Sequence, residues 1–488
     1  MIKKPVIVLL QIMFLSLVML PAQDVLPPEE NTPGPISGIS ESEIPEEEEI
    51  TDEQDEEIYY EKNYALSFTN AAFSNIALLT FNRYALNKEY AKISINSIIT
   101  NLTSRWVWDQ DEFAVNHIGH PYQGSFYYIA GRANNLNFAE SLLVTLFGSV
   151  MWELFCETET PSLNDLIVTT TGAFAFGEML HRLYMEALSV NFPLAFIISP
   201  MDALNRLVSG KNPPRPPSRI TAASFYFGAG PIIDRNEFDS SRADEENRYS
   251  MVLEAGYNLV YGEPYGLSTK EPFSHFEHVL QAAVSSQYYS VSLFSDGILF
   301  SFAPFYKPER ETTLGASLHY DVIFSKYINF SAHSVGFTMK QKYEFSKDAV
   351  LALRLHANWI IMSANDYFYL RDGSFPDPDP RVERRDYDLG TGEGFKFSLH
   401  FSQPVFGTIG FTFMFYGLHT IPASVPDYGS EGYTIINISN LSYEHLITKK
   451  ISLGLLNSLY HKYGFYNNAP NIHHLAFFST VYFRYIIR

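Results

Sequence analysis

A single cysteine, Cys156, stands in 488 residues. It has no internal disulfide partner, no CxxC or Cys/His spacing of a zinc site accompanies it, and such scarcity suits an oxidising envelope compartment. Charge is thin as well: 18% of residues are charged, against about 25% in an average soluble protein. Lys and Arg are missing altogether between Asp24 and Glu61, and the chain has no basic patch. Nucleic acid is thereby excluded as a partner, since phosphate neutralisation needs such a patch. After the first 22 residues no apolar run reaches the roughly 20 residues of a membrane-crossing helix, and the stretch 186–201 is cut by Pro193. HExxH and GxSxG are absent too, which removes the commonest metalloprotease and serine-hydrolase signatures.

Aromatic residues, at 15%, are what the chain has in plenty. Residues 1–22 carry Lys3 and Lys4, an apolar run from Pro5 to Leu20 and a small residue, Ala22, the layout of a cleaved secretory signal. No cysteine follows that run, so a lipid anchor is not expected. Residues 23–63 form an acidic tether: fifteen Asp and Glu lie between Asp24 and Glu61, interspersed with proline, a composition too polar to fold alone. The formal net charge of −20 falls to −5 when those fifteen are set aside. The acidity therefore belongs to the tail.

Residues 64–210 are expected to form a helical domain. Residues 65–86 have helical apolar spacing, and AKISINSIITNL reads equally as strand or helix. Asp109, Phe113, Asn116, His117 and His120 fall three or four apart and share a helix face, with a break expected at Pro121, Tyr122 and Gly124. From Asn137 to Glu157 a further helix places Ser149, Glu153 and Glu157 on one stripe. Ser162 makes an N-cap with Asp165 three residues on. Gly172 and Gly177 inside the helix that follows imply close approach to a neighbour, and Glu178 and Arg182 form a self-neutralising pair.

The series WDQDEFAVNHIGHPYQGSFYYIAGRANNLNFAES, then GSVMWELFCETETPSLNDLIVTTTGAFAFGEMLHRL, and the trailing SPMDALNRLVSG resemble the family known as domain of unknown function 3943, over about residues 70–208. Cys156 stands where the pattern has glycine, and Ala173 where a second glycine often follows Gly172. The resemblance implies export in a diderm bacterium and no particular chemistry.

His120, Glu153 and Asp165 are the candidate catalytic residues, His120 as base with the carboxylates binding metal or orienting it. Asp109, Asn116, His120, Arg132, Glu153, Glu157 and Asp165 are the candidate ligand-binding set, and His117, His120, Glu153 and Glu157 the candidate ligands of a divalent metal. The alternative is that these groups satisfy one another inside a compact bundle.

KNPPRPPSR at 211–219 is a semi-rigid linker. Beyond it, over 220–488, the period becomes two, with about twelve strand candidates: 220–228, 249–261, 277–285, 288–305, 313–325, 328–345, 348–365, 393–402, 405–418, 432–447, 450–463 and 474–487. Over the last seven strands short and long connections alternate, as in an outer-membrane barrel. In the final strand Leu475, Phe477, Val481, Phe483, Tyr485 and Ile487 should face lipid, and Thr480, Tyr482 and Arg484 the lumen. A soluble aromatic-rich sandwich is the alternative.

The expected protein is α+β: a helical domain followed by an antiparallel, roughly 12-stranded outer-membrane-type barrel that the helices plug, flank or feed. Its expected partners are outer-membrane lipid, the barrel-assembly machinery and a small-molecule or lipid ligand. Three functions suit it: a non-enzymatic pore or carrier for a lipid or solute, a metal-assisted envelope lipid hydrolase or acyltransferase, and a purely structural envelope protein.

Overall fold

The computed structural model describes residues 61–210 and 217–488, apart from 239–247, 287, 308, 327, 347, 368–384 and 427–428. The signal, nearly all of the tether and most of the linker lie outside the described residues.

Among the described residues seven α-helices come first: α1 (Tyr64–Thr80), α2 (Ile95–Thr103), α3 (His120–Arg132), α4 (Phe138–Phe155), α5 (Leu163–Val190), α6 (Phe192–Ile198) and α7 (Pro200–Ser209). The ambiguous stretch after Ala91 is thus helix, opened by a Ser94 capping box. Asn137 caps α4 in the same way, and Ser162 caps α5 by accepting from the Asp165 N–H. The expected break at Pro121, Tyr122 and Gly124 does not occur. Pro121 sits in the first turn of α3, where its missing N–H is harmless, and the irregularity lies before it, as a π-helical turn over Val115–Gly119. Asp109 precedes the helix, outside any helix or strand.

Glycine sets how closely α3 and α5 pack. A Cβ on Gly172 would stand 2.5 Å from Pro121 Cβ, and one on Gly124 2.2 Å from the Thr169 carbonyl oxygen. Helix α4 is 18 residues long with a mean hydropathy of 1.4, and 39% of it is buried. It meets the length and composition of a membrane span, contrary to expectation, because Glu153 is its only charge after Glu140.

Twelve long strands follow: β1 (Ile220–Phe238), β2 (Arg248–Tyr261), β3 (Phe276–Val284), β4 (Tyr289–Phe302), β5 (Arg310–Ser325), β6 (Asn329–Ser346), β7 (Ala349–Asp366), β8 (Tyr387–Gln403), β9 (Gly407–Thr420), β10 (Gly432–Thr448), β11 (Ile451–Tyr466) and β12 (Ile472–Ile486). A two-residue strand, Tyr306–Lys307, extends the β4–β5 connection. All neighbours pair antiparallel in chain order, and β1 pairs with β12, so the sheet closes into a barrel. Every strand candidate coincides with one of the twelve.

Side-chain contacts identify the concave face. Lys396 of β8 reaches Asp321 of β5 at 2.8 Å, and Tyr416 of β9 reaches the same carboxylate at 3.0 Å. Lys340 of β6 lies 2.9 Å from Glu277 of β3 and 3.0 Å from Asp296 of β4, and Arg354 of β7 also pairs with Glu277. Lys462 of β11 bonds Asp366 of β7 at 2.6 Å. Strands so far apart along the sheet meet only across the lumen. The lumen therefore holds the charges, and Lys340 is fully buried there.

Because side chains alternate, Tyr320, Val322 and Phe324 of β5 point outward, together with their cross-strand partners His333, Ser331, Leu293 and Val291. These outward residues are buried, and they share one core with Phe113, Ile118, Val168, Phe176 and Met179 of the helical domain. The helices thus flank the barrel; they lie on its outer wall, not in its lumen. Elsewhere that wall is bare: Phe227, Leu253, Phe337, Trp359, Val481 and Phe483 are all at least half exposed. The final strand has the expected alternation, with Tyr482 and Thr480 buried inside and Val481 and Phe483 outside.

Short and long connections alternate over β6–β12 as expected. Over β2–β5 the pattern inverts. The connection 262–275, at the short-turn end, reaches back to the helices: Glu271 and the Pro272 carbonyl both accept from Arg182, at 2.8 and 2.7 Å, and Phe273 stacks on Phe138.

Candidate functional site

One polar centre forms where the start of α3, the end of α4 and the start of α5 converge. His120, Glu153 and Asp165 are all buried there and each offers a ligand atom within 4.8 Å of the other two. The π-helical turn swings His120 inward, its Nδ1 3.2 Å from Thr169 Oγ1 and its Nε2 3.7 Å from Asp165 Oδ2. Glu153, near the C-terminus of α4, accepts the Ser162 N–H at 2.8 Å, so the cap of α5 also positions this carboxylate. Asn164 holds the Asp109 and Asp165 carboxyls side by side, at 2.6 and 3.1 Å. Glu157, just past α4, accepts from Trp152 Nε1 at 3.1 Å.

Four acidic groups and one imidazole share this space with no Lys or Arg ion pair among them. Burial pushes the Asp165 and Glu157 carboxyls well above the usual range; the Asp109 and Glu153 charges push Asp165 the same way, and those of Glu153 and Glu159 push Glu157. Burial lowers His120 to about 4, against the pull of Asp109. Such a centre keeps its protons or takes up a cation. A nitrogen and two carboxylate oxygens form a donor set suited to a divalent transition metal, with positions left open.

The remaining sequence candidates go elsewhere. His117 does not join His120: its Nδ1 meets Ser331 Oγ of the barrel at 2.7 Å, and its carbonyl accepts from Tyr320 at 2.6 Å. It is therefore not a ligand of this centre. Arg132 binds Glu178 at 2.8 Å, as does Arg182 at 3.0 Å. Burial alone would raise Glu178, but the two guanidinium groups hold it at about 2. This is a structural knot that engages Nε and Nη2 of Arg132 with Glu178 and Nη1 with the Leu136 carbonyl. Asn116 bridges Asp109 and the Tyr387 hydroxyl, at 2.7 and 2.9 Å. Tyr320, Ser331, His333, Arg385 and Tyr387, which complete the junction, were not legible as site residues; their one signal is polarity on an outward-facing stripe.

A second feature lies at the same junction. Ile118, Pro121, Tyr122 and Phe176 of the helices and His278, Leu280, Leu293, Tyr320 and Val322 of the outer wall line a mostly apolar cleft of only about 20 Å³.

Residues 105–194 match the family model described as Domain of unknown function (DUF3943). The DUF3943 segment thus carries every side chain of the polar centre and the helical side of the cleft. No curated protein matches the chain. Among solved structures the chain is similar to the NanC porin, at 11% identity and TM-score 0.24 over 52% of this chain and 98% of that one. It is similar also to the outer membrane channel DcaP of Acinetobacter baumannii (8%, 0.23, 55% and 96%) and to the outer membrane protease OmpT from Escherichia coli (9%, 0.19, 55% and 98%). These likenesses select no activity.

Proposed function

We propose that this chain is a non-enzymatic outer-membrane carrier that holds a lipid or similarly amphipathic ligand against the outside of its barrel. The observation that carries the reading is where the helical domain docks: on the membrane-facing wall, while ion pairs from opposite strands close the lumen. The apolar cleft opens in that interface. The helices also expose Phe73, Ile76 and Leu143, each at least half exposed, apolar side chains that suit acyl chains. Export through a signal over residues 1–22, insertion by the barrel-assembly machinery and residence in the outer membrane belong to the same reading.

The test is to purify the folded barrel in mild detergent, identify bound lipid by native mass spectrometry, and measure planar-bilayer conductance. Bound lipid without steady conductance is expected. Steady ohmic conductance with no bound lipid would make the protein a pore.

A second reading, metal-assisted hydrolysis of an envelope lipid, draws on His120, Glu153 and Asp165. It requires stoichiometric metal in the purified protein and a lipid-cleaving activity that Glu153→Gln abolishes; absence of either removes it.

A further inference from the structure

We propose that the helix–barrel junction contains a binding site for a phosphate-type oxyanion, with Arg385 as its charged ligand. The proposal rests on the carrier reading and deepens it, by naming the headgroup chemistry.

Arg385 is 1% exposed and lies two residues before the start of β8. Its Nη1 donates to the Asp109 carbonyl at 3.1 Å, while Nε and Nη2 have no partner. A buried guanidinium without a counter-charge is costly, by several kcal/mol as an order of magnitude, so an oxyanion is the expected complement. Nothing among the described residues supplies one: no carboxylate lies within ion-pairing distance of Arg385, and the Asp109 side chain is turned to Asn116 and Asn164.

The neighbours have open valences of the same kind. The guanidinium lies 5.5 Å from the Tyr387 ring centroid, and the His117 ring 5.4 Å from it. His333 follows, its ring centroid 6.4 Å from that of His117. Each imidazole has its Nδ1 engaged by a hydroxyl, from Ser331 at 2.7 Å and Thr171 at 3.2 Å, and each Nε2 is buried without a partner. The Ser331 hydroxyl donates to His117 Nδ1, which leaves the N–H at His117 Nε2, whereas the Thr171 hydroxyl donates to the Ile167 carbonyl at 2.8 Å, so His333 Nδ1 donates to Thr171 and His333 Nε2 is left an acceptor. Two guanidinium nitrogens and the His117 N–H are donors alone, the complement of phosphate oxygens, and His333 Nε2 can accept from a protonated one. Asn116 Oδ1, also buried and unpartnered, is placed to accept from a protonated phosphate oxygen or a hydroxyl.

Position ties this site to the cleft. Tyr320, which lines the cleft, donates to the His117 carbonyl. That cleft is too small for an acyl chain, so an amphipathic molecule with its head at Arg385 would lay its chain on the exposed apolar side chains of the outer wall. The site lies beside the first residues of β6 and β8, at the barrel end that carries the long 367–386 connection, and long loops mark the outer-leaflet end of a barrel of this type.

The experiment compares wild-type protein with Arg385→Gln, both purified as folded, heat-modifiable barrels, by native mass spectrometry and phosphorus per polypeptide, and titrates each with inorganic phosphate while following thermal unfolding. Charged hydrogen bonds of this kind predict that Arg385→Gln loses about 10-fold or more in retention of a phosphorylated lipid. If lipid is absent but inorganic phosphate stabilises wild type and not Arg385→Gln, the oxyanion site stands, its occupant is a free anion, and the carrier reading falls. Equal lipid retention in both proteins overturns the Arg385 site and leaves the carrier reading in place. Neither lipid nor a phosphate effect overturns the site outright. Should Arg385→Gln fail to assemble, His333→Ala is measured in the same way, and wild-type retention of lipid and phosphate response by that variant overturns the proposal.

Discussion

His117 and His120, one helical turn apart, face opposite ways: His117 Nδ1 bonds Ser331 of the barrel at 2.7 Å, and His120 Nε2 lies 3.7 Å from Asp165 inside the helical domain. The π-helical turn between them makes this possible, because its extra residue rotates the second imidazole away from the face of the first. Substitutions should separate accordingly. His117→Ala leaves Ser331 Oγ buried without its partner and should destabilise docking by about 1–3 kcal/mol; limited proteolysis should then release the helices from an intact, heat-modifiable barrel. His120→Ala should leave that proteolysis pattern unchanged. A release profile shared by both variants would show that the two rings belong to one unit.

The polar centre should make stability depend on pH in a way that a divalent cation reverses. Asp165 and Glu157 have carboxyl pKa values raised by burial. Their contribution is complete below the unfolded value of about 4 and is lost as pH rises through the folded values. His120, lowered to about 4 by burial, acts oppositely as pH falls below about 6.5, one group against three, since burial also raises Glu153 to about 7. Chelator-treated protein should therefore melt higher at pH 5 than at pH 8. Zn²⁺ or Mn²⁺ should raise the melting temperature at pH 8 and scarcely at pH 5, since protons and cation compete for the same oxygens. If no cation shifts the pH 8 transition, the centre is a proton-sharing network without a metal role.

Close packing of α3 on α5 holds both the polar centre and the cleft in shape. Gly172→Ala would set a Cβ 2.5 Å from Pro121 Cβ, and neither the helix backbone nor the proline ring can yield locally. A cost of roughly 1–3 kcal/mol is expected, read as a lower unfolding temperature of the helical domain with the barrel's heat-modifiable mobility retained. Wild-type stability would mean that the helices slide on one another freely.

Much of this arrangement was readable in the sequence because the barrel repeats a simple rule. Alternation alone located the twelve strands and the inward Thr480, Tyr482 and Arg484. Gly172 and Gly177 announced close helix contacts, since glycine is disfavoured in a helix without such a reason. What could not be read was the cover on the outer wall. Tyr320, Val322 and Phe324 are as suitable for facing lipid as for facing a helix, and both environments select the same apolar side chains. The exceptions were Ser331 and His333, polar groups on an outward stripe that need a partner there, but strand alternation does not say which segment supplies it. His117 and His120 were grouped wrongly for a related reason: three-residue spacing implies one face only if the helix is regular, and a π-turn leaves no sharp mark in sequence.

The lumen offers the test that separates carrier from pore most directly. Lys340 is fully buried where it meets Glu277 of β3 and Asp296 of β4, and Arg354 binds the same Glu277 from β7. These side chains cross the barrel interior, so the layer is a closure as well as a source of stability. Lys340→Ala removes the central cation and a long side chain together. Glu277 keeps Arg354, so the barrel should still assemble, at a cost of about 3–5 kcal/mol for breaking a buried pair. Planar-bilayer recordings should then show steady conductance in Lys340→Ala and none in wild type. The reasoning is steric and electrostatic at once: the vacated volume admits water, and the two carboxylates left beside it favour cations over anions. Equal silence in both proteins would place the closure elsewhere in the lumen, at the Lys396–Asp321 or Lys462–Asp366 layers. Equal conductance would mean that solute passes the ion pairs as they stand, and that the outer-wall helices are an accessory to a pore.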